Sequence, residues 1–212
     1  MSGEWIVCGW YTPDYRPWWI NLRNELDFIG APHDFVEVQK LAGGWEANTM
    51  AKANVVLDAI KRHPDKTIIL LDVDCTIPGG LAALEELASF SGDVGFVLET
   101  KWRRRVRRWV FSRSGTMVFK PTELARQFVD AWARESLNAP RYAVDQDSLV
   151  VAIGKVSGLS ITTLPIRYCA VARDNCPHPA VLHDSASKAA TKAGKFTRLA
   201  ARLFRIPQLA QA

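Results

Sequence analysis

Residues 67–81 read TIILLDVDCTIPGGL, and this stretch limits the possible folds more than any other in the chain. Uninterrupted apolar residues from Ile68 to Leu71 run into two aspartates, Asp72 and Asp74, before Pro78, Gly79 and Gly80 turn the chain. A continuous apolar run marks a parallel strand covered on both faces, where a half-exposed strand would alternate. Ligands of open α/β sheets sit beyond the carboxyl ends of such strands, so both aspartates fall where function is expected. One residue apart on an extended chain, their side chains point the same way. Two hard oxygen donors then share one divalent cation and offer it to a phosphate. The plainer reading makes the pair a cap for a helix beginning near Leu81, but neighbouring carboxylates repel unless a cation or proton intervenes.

The chain has 212 residues, 48% of them hydrophobic, enough for one substantial core and a single domain. Lysine and arginine number 27 against 22 acids, and the resulting charge of +5 favours polyanionic partners: phosphate, nucleic acid or anionic lipid. The opening MSGEWIVCGW lacks a basic region followed by a long apolar segment, and no apolar run is long enough to span a membrane, so a soluble or peripheral cytoplasmic protein is expected. Cys8, Cys75, Cys169 and Cys176 form no CxxC pair, which points to reduced thiols. A zinc site at Cys169, Cys176 and His178 would need a fourth ligand at sensible spacing.

Periodicity supplies the remaining elements. Residues 5–10 form a first strand, and the loop at Tyr11-Thr12-Pro13 should border the ligand site. Helical spacing of Trp19, Leu22, Leu26 and Ile29 predicts a helix over 18–29 stopped by Gly30, and 33–38 reads as a second strand. After Gly43-Gly44 comes one long helix over 45–62, with Lys52 inside it, where a lysine is ordinarily solvated. A helix over 81–90 and a buried strand over 94–98 follow.

Then comes KWRRRVRRWVF, residues 101–111, whose density of cations and tryptophans reads as a binding surface: Trp102, Arg103, Arg104, Arg105, Arg107, Arg108 and Trp109. Cations neutralise phosphates while tryptophan stacks on bases or sugar faces. The alternative is a basic strand or hairpin with exposed arginines. Ser114-Gly115-Thr116 precedes a short apolar run over 117–119, and Pro121 is expected to open a helix carrying Leu124, Phe128 and Trp132. Asp145-Gln146-Asp147 stands ahead of another helix, as caps, as cleft residues or as both. Late strands are expected at 161–164 and 166–171, with His183 in a loop beyond them. From Lys188 to Arg205, basic residues interleave with Ala, Leu and Phe as in a basic amphipathic helix at a membrane surface or beside a polyanion.

Taken in order, these motifs resemble those of a GT-A glycosyltransferase, close to the retaining family-eight-like enzymes. Asp72-Val73-Asp74 matches the DxD motif, Ser114-Gly115-Thr116 the small residue and glycine beside the donor sugar, and Asp145-Gln146-Asp147 the DQ motif. His183 with Lys188 is similar to the HxxGxxK ending, although Ala186 stands in place of its glycine and no KPW follows; Ser114 stands where asparagine is common. The resemblance implies a single-domain Rossmann-like α/β fold over residues 1–187, with a mostly parallel central sheet flanked by helices and a basic C-terminal helix over 188–212. It implies Mn2+ or Mg2+ held by Asp72, Asp74 and His183, with Asp72 also reaching the ribose. Tyr11 and Thr12 would border the base, Lys52 and Lys188 would assist the phosphates, Ser114 and Gly115 would lie beside the sugar, and Asp145 and Gln146 would act near the reacting carbon. A UDP-sugar donor is expected, with a polyanionic acceptor: a lipopolysaccharide-type glycan, or a hydroxymethylated base in DNA as in viral DNA-modifying glucosyltransferases. The expected location is cytoplasmic, at the inner membrane surface or in an infected host cell.

Two rival readings accompany this one. DVDCTI also fits the opening motif of haloacid-dehalogenase-type phosphatases, with Asp72 as nucleophile. That motif normally follows the first strand of its fold, whereas here two strand-helix units precede it. A non-enzymatic nucleic-acid-binding module would explain the arginines but not the aspartates or His183.

Overall fold

The structure is a computed structural model that describes residues 5–42, 44–103, 107–140 and 143–184; within 101–103 and 107–109 it describes the backbone alone. The segment over 67–71 forms the centre. This strand, β3 (Thr67–Leu71), is buried along its whole length. Ile69 and Leu71 enter one apolar cluster, while Ile68 and Leu70 enter the other on the opposite face. The unbroken apolar run is thus explained by layers on both sides, and removing one of these side chains to alanine costs about 2–5 kcal/mol.

Around it lie β1 (Trp5–Tyr11), β2 (His33–Glu37), β5 (Val94–Arg103), β6 (Arg107–Phe119) and β7 (Ile161–Thr163), in the order β2-β1-β3-β6-β5-β7. Strand β1 runs parallel to β2 and β3, and β5 runs parallel to β7; β6 is antiparallel to both its neighbours. Three of the five pairings are therefore parallel. One face is covered by α1 (Arg16–Ile29) and α4 (Gly80–Ser89) through Leu22, Leu26, Leu84 and Leu87. The other is covered by α3 (Lys52–Arg62), α5 (Glu123–Leu137) and α6 (Asp145–Ile153) through Val56, Phe128, Trp132 and Leu149. Gly30 ends α1 at φ 70, a left-handed turn that glycine adopts without strain. A second sheet, β4-β9-β8, is formed by β4 (Cys75–Thr76), β8 (Ala170–Val171) and β9 (Leu182–His183).

Several expectations are corrected. The single helix over 45–62 is two helices, α2 (Gly44–Met50) and α3, separated at Ala51. Pro121 does not start α5; Thr122 caps it, its hydroxyl accepting from the Ala125 amide at 3.2 Å. The apolar stretch at 166–171 is a 3-10 helix, Ile166–Cys169, followed by the two-residue β8, since so short an apolar run does not distinguish strand from helix. His183 lies in a strand and not in a loop. For the basic segment the hairpin alternative is what forms: it lies on β5 and β6, whose ladder runs out to Arg103↔Arg107. Ser114, Gly115 and Thr116 lie inside β6 at a bulge, where the register jumps from Phe96↔Met117 to Val97↔Arg113. The expected C-terminal helix and Lys188 lie outside the described residues, as do Arg104 and Arg105.

Candidate active site

A cleft of about 500 Å³ opens beyond the carboxyl ends of β1 and β3. Asp72 leaves the sheet with its amide donating to the Gly115 carbonyl at 2.9 Å. Three residues on, β4 pairs with β9 so that Cys75 lies opposite His183, and the Asp184 amide donates to the Asp74 carbonyl at 2.6 Å. From α1, Glu25 accepts from the Ile77 amide at 2.7 Å and ties this turn to the main layer. These constraints gather one potential ligand atom each from Asp72, Asp74 and His183 within 4.8 Å of one another.

His183 is buried, and its Nε2 lies 2.8 Å from the Thr116 hydroxyl. Burial, with the charges of Lys52 and Arg113, pushes its pKa down to about 3, so the ring is the neutral imidazole that binds metals. Gly115 is required beside it. A Cβ there would sit 2.8 Å from His183 Cε1, 3.0 Å from Nδ1 and 3.3 Å from Asp72 Oδ2. The β6 bulge brings this glycine and Thr116 against the histidine.

Lys52 overturns the expectation of a solvated lysine. As the first residue of α3 it is 4% exposed, with Nζ 2.9 Å from Asp72 Oδ1 and 3.1 Å from Asp145 Oδ2. It also donates to the Ser114 carbonyl at 3.1 Å and to the Ser114 hydroxyl at 3.3 Å. Burial alone would lower its pKa, but the Asp145 and Asp72 carboxylates outweigh that and keep the ammonium charged. At Asp72 burial raises the pKa, with Lys52 opposing and Asp145 adding to the rise.

The two aspartates of the DQD segment divide the work that the sequence left open. Asp147 caps α6, its Oδ2 accepting from the Val144 amide at 3.0 Å. Asp145 is buried in the cleft wall with Lys52, and Trp132 Nε1 donates to its carbonyl at 3.0 Å. Gln146 also lines the cleft. At the far wall, Tyr11 stacks on Trp19 with ring centroids 5.6 Å apart, and the Thr12 hydroxyl donates to Asp14 at 2.5 Å.

Sequence reasoning gave no role of its own to Thr116, although it lay in the Ser114-Gly115-Thr116 motif, and none to Glu25 or Arg113. Arg113 is buried and donates to the Cys169 carbonyl at 2.8 Å, to both Asp174 oxygens at 2.5 and 3.0 Å, and to Glu99. In the sequence it is one more arginine after an arginine-rich run; only three-dimensional pairing sets it apart. A metal site at Cys169, Cys176 and His178 does not form among the described residues. A Cys8, Asp34 and His63 group does come together, but Arg62 and His63 already hold Asp34 at 2.7 and 2.8 Å, and burial raises the Cys8 thiol to about 12. It reads as a packing cluster.

No family model matches the chain, and no curated protein matches it in sequence. Solved structures do. A glycosyltransferase involved in glycosylation of the major capsid of PBCV-1 superposes with a TM-score of 0.66 at 10% identity, covering 86% of this chain and 93% of that one. The galactosyltransferase LgtC, in complex with donor and acceptor sugar analogues, gives 0.54 at 10% identity over 96% of this chain and 98% of that one. GlyE of Streptococcus pneumoniae TIGR4 gives 0.52 at 11% identity over 85% and 55%. The fold is a GT-A glycosyltransferase fold.

Proposed function

We propose that the protein is a divalent-cation-dependent glycosyltransferase that moves a sugar from a nucleotide-diphosphate sugar, a UDP-sugar foremost, to a polyanionic acceptor. The observation that carries this reading is the convergence of Asp72, Asp74 and His183 in the wall of a cleft, in a chain whose fold is shared with glycosyltransferases. Two carboxylates and a neutral imidazole suit Mn2+ or Mg2+, and the absence of a side chain at Gly115 keeps the space between His183 and Asp72 open. A bound ion supplies Lewis-acid stabilisation of the charge developing on the leaving diphosphate. Thr116 fixes the imidazole, and the tautomer with Nε2–H donating to its hydroxyl leaves Nδ1 free beside Asp72.

Lys52 holds the Asp72 and Asp145 carboxylates at fixed positions on either side of its ammonium, linking the metal side of the cleft to the DQD helix. Asp145 and Gln146 face the reacting sugar in this reading, and Tyr11 and Thr12 border the nucleotide base. Supporting a polyanionic acceptor, β5 and β6 continue past their pairings with β7 and β3 as a two-stranded ribbon, and the sequence at its tip carries Arg103, Arg104, Arg105, Arg107 and Arg108 between Trp102 and Trp109. A glycan or lipid-linked acceptor and a hydroxymethylated DNA base share this chemistry, and the basic 188–212 segment suits contact with an anionic membrane surface from the cytoplasmic side.

A phosphatase with Asp72 as nucleophile fits less well, because two strand-helix units precede β3 and one of its two neighbours, β6, is antiparallel. Calorimetric titration of UDP with and without Mn2+ tests the reading. Metal-strengthened nucleotide binding is expected; an affinity indifferent to metal, or to Asp74→Ala, overturns it.

A further inference from the structure

Among the described residues, the cationic side chains that line the cleft are Lys40, Lys52, Arg113 and Arg173, and the first three are committed. Lys52 is enclosed by Asp72, Asp145 and Ser114. Arg113 is spent on Glu99, Asp174 and the Cys169 carbonyl, and Lys40 pairs with Asp14 at 2.6 Å. Arg173 is exposed and makes no hydrogen bond or salt bridge among the described residues.

Its backbone, by contrast, is firmly set. Arg173 lies in the 3-10 turn Ala172–Asp174, where Asp174 accepts from the Val171 amide at 2.8 Å and accepts two of the four Arg113 hydrogen bonds. Asn175, at φ 48, closes the turn in the left-handed region that asparagine tolerates. Val171, where the turn begins, pairs with His183 in the β8-β9 ladder. A guanidinium whose charge reaches Asp174 but which makes no hydrogen bond or ion pair among the described residues is therefore held on a braced turn beside the strand that carries the candidate-cluster histidine. Asp174, the nearest carboxylate in sequence, is taken by Arg113. A planar fork of N–H donors matches phosphate oxygens, and a fixed backbone reduces the ordering needed to bind them.

We infer that Arg173 is a binding residue for the diphosphate of the nucleotide donor, presented by a turn that Arg113 and Asp174 lock beside the Asp72–Asp74–His183 cluster. This rests on the glycosyltransferase reading and adds to it a ligand that no sequence motif marked. The experiment is a ligand-observed titration of UDP and of uridine, each with Mn2+, on wild type, Arg173→Gln and Arg173→Lys. Arg173→Gln should weaken UDP about five- to tenfold and leave uridine unchanged, with the difference shrinking as salt rises. Arg173→Lys should recover part of the loss, since the charge remains without the fork. Unchanged UDP affinity in Arg173→Gln, or an equal loss for uridine, overturns the role of Arg173. A wild-type protein that binds no UDP in the presence of Mn2+ overturns instead the UDP-donor reading on which it rests.

Discussion

The Thr116 hydroxyl lies 2.8 Å from His183 Nε2, both side chains buried where the β6 bulge meets β9. This contact sets the orientation of an imidazole that has no other hydrogen-bonding side chain on that nitrogen among the described residues. Thr116→Val keeps the volume and removes the hydroxyl, so metal affinity should fall about tenfold or more while the fold persists. Mn2+ titration followed by electron paramagnetic resonance checks this; equal affinity would mean the hydroxyl merely fills space.

Lys52→Met leaves Asp72 and Asp145 facing each other without the intervening cation. Breaking a buried pair by removing one partner costs about 3–5 kcal/mol, and the loss should appear as a lower urea midpoint. Lys52→Arg should not restore it, because a planar guanidinium cannot replace a compact ammonium between the two carboxylates.

Asp145→Asn should reduce turnover on the order of a hundredfold while UDP affinity changes little, since a group near the reacting carbon acts chiefly on the transition state. Steady-state kinetics beside UDP titration separate the two effects. An undiminished kcat would leave Asp145 as a structural partner of Lys52.

Acid should destabilise the metal-free protein through His183. Its folded pKa of about 3 lies below the ordinary 6.5, so the unfolded chain binds the extra proton first. The stability from the neutral ring is complete above about pH 6.5 and declines as pH falls through the window down to about 3. Comparing urea midpoints at about pH 7 and about pH 5, above the range of unfolded carboxylates, should show a drop that His183→Gln lessens.

Replacing Arg103, Arg104, Arg105, Arg107 and Arg108 with glutamine should weaken acceptor binding and flatten its salt dependence, with UDP affinity intact. Labelled UDP-sugars offered to a lipopolysaccharide core, hydroxymethylated DNA and plain DNA identify the acceptor. Efficient transfer to a neutral sugar, undiminished by those substitutions, refutes the polyanionic acceptor.

What the sequence disclosed depended on whether the physics was local. The run from Ile68 to Leu71 announced a doubly covered strand because both core layers demand apolar side chains at every position. Asp72 and Asp74 could be placed at its end for the same reason. The resemblance put Lys52 near the phosphates, but its burial could not be read, since it is set by Asp72, Ser114 and Asp145, all distant in the chain. Composition likewise gave no way to separate Arg113, enclosed by Asp174 and Glu99, from the other arginines of the hairpin. The break at Ala51 was hidden because no proline or glycine marks it.

The small sheet joining β4, β8 and β9 has a consequence for biosynthesis. Asp72 and Asp74 leave the ribosome with β3, yet the histidine that completes their cluster arrives only with β9, after the other described strands have been made. All described strands of the large sheet therefore precede the third residue of the candidate cluster, and deleting β9 would leave Asp72 and Asp74 without His183 while every described strand of that sheet remains.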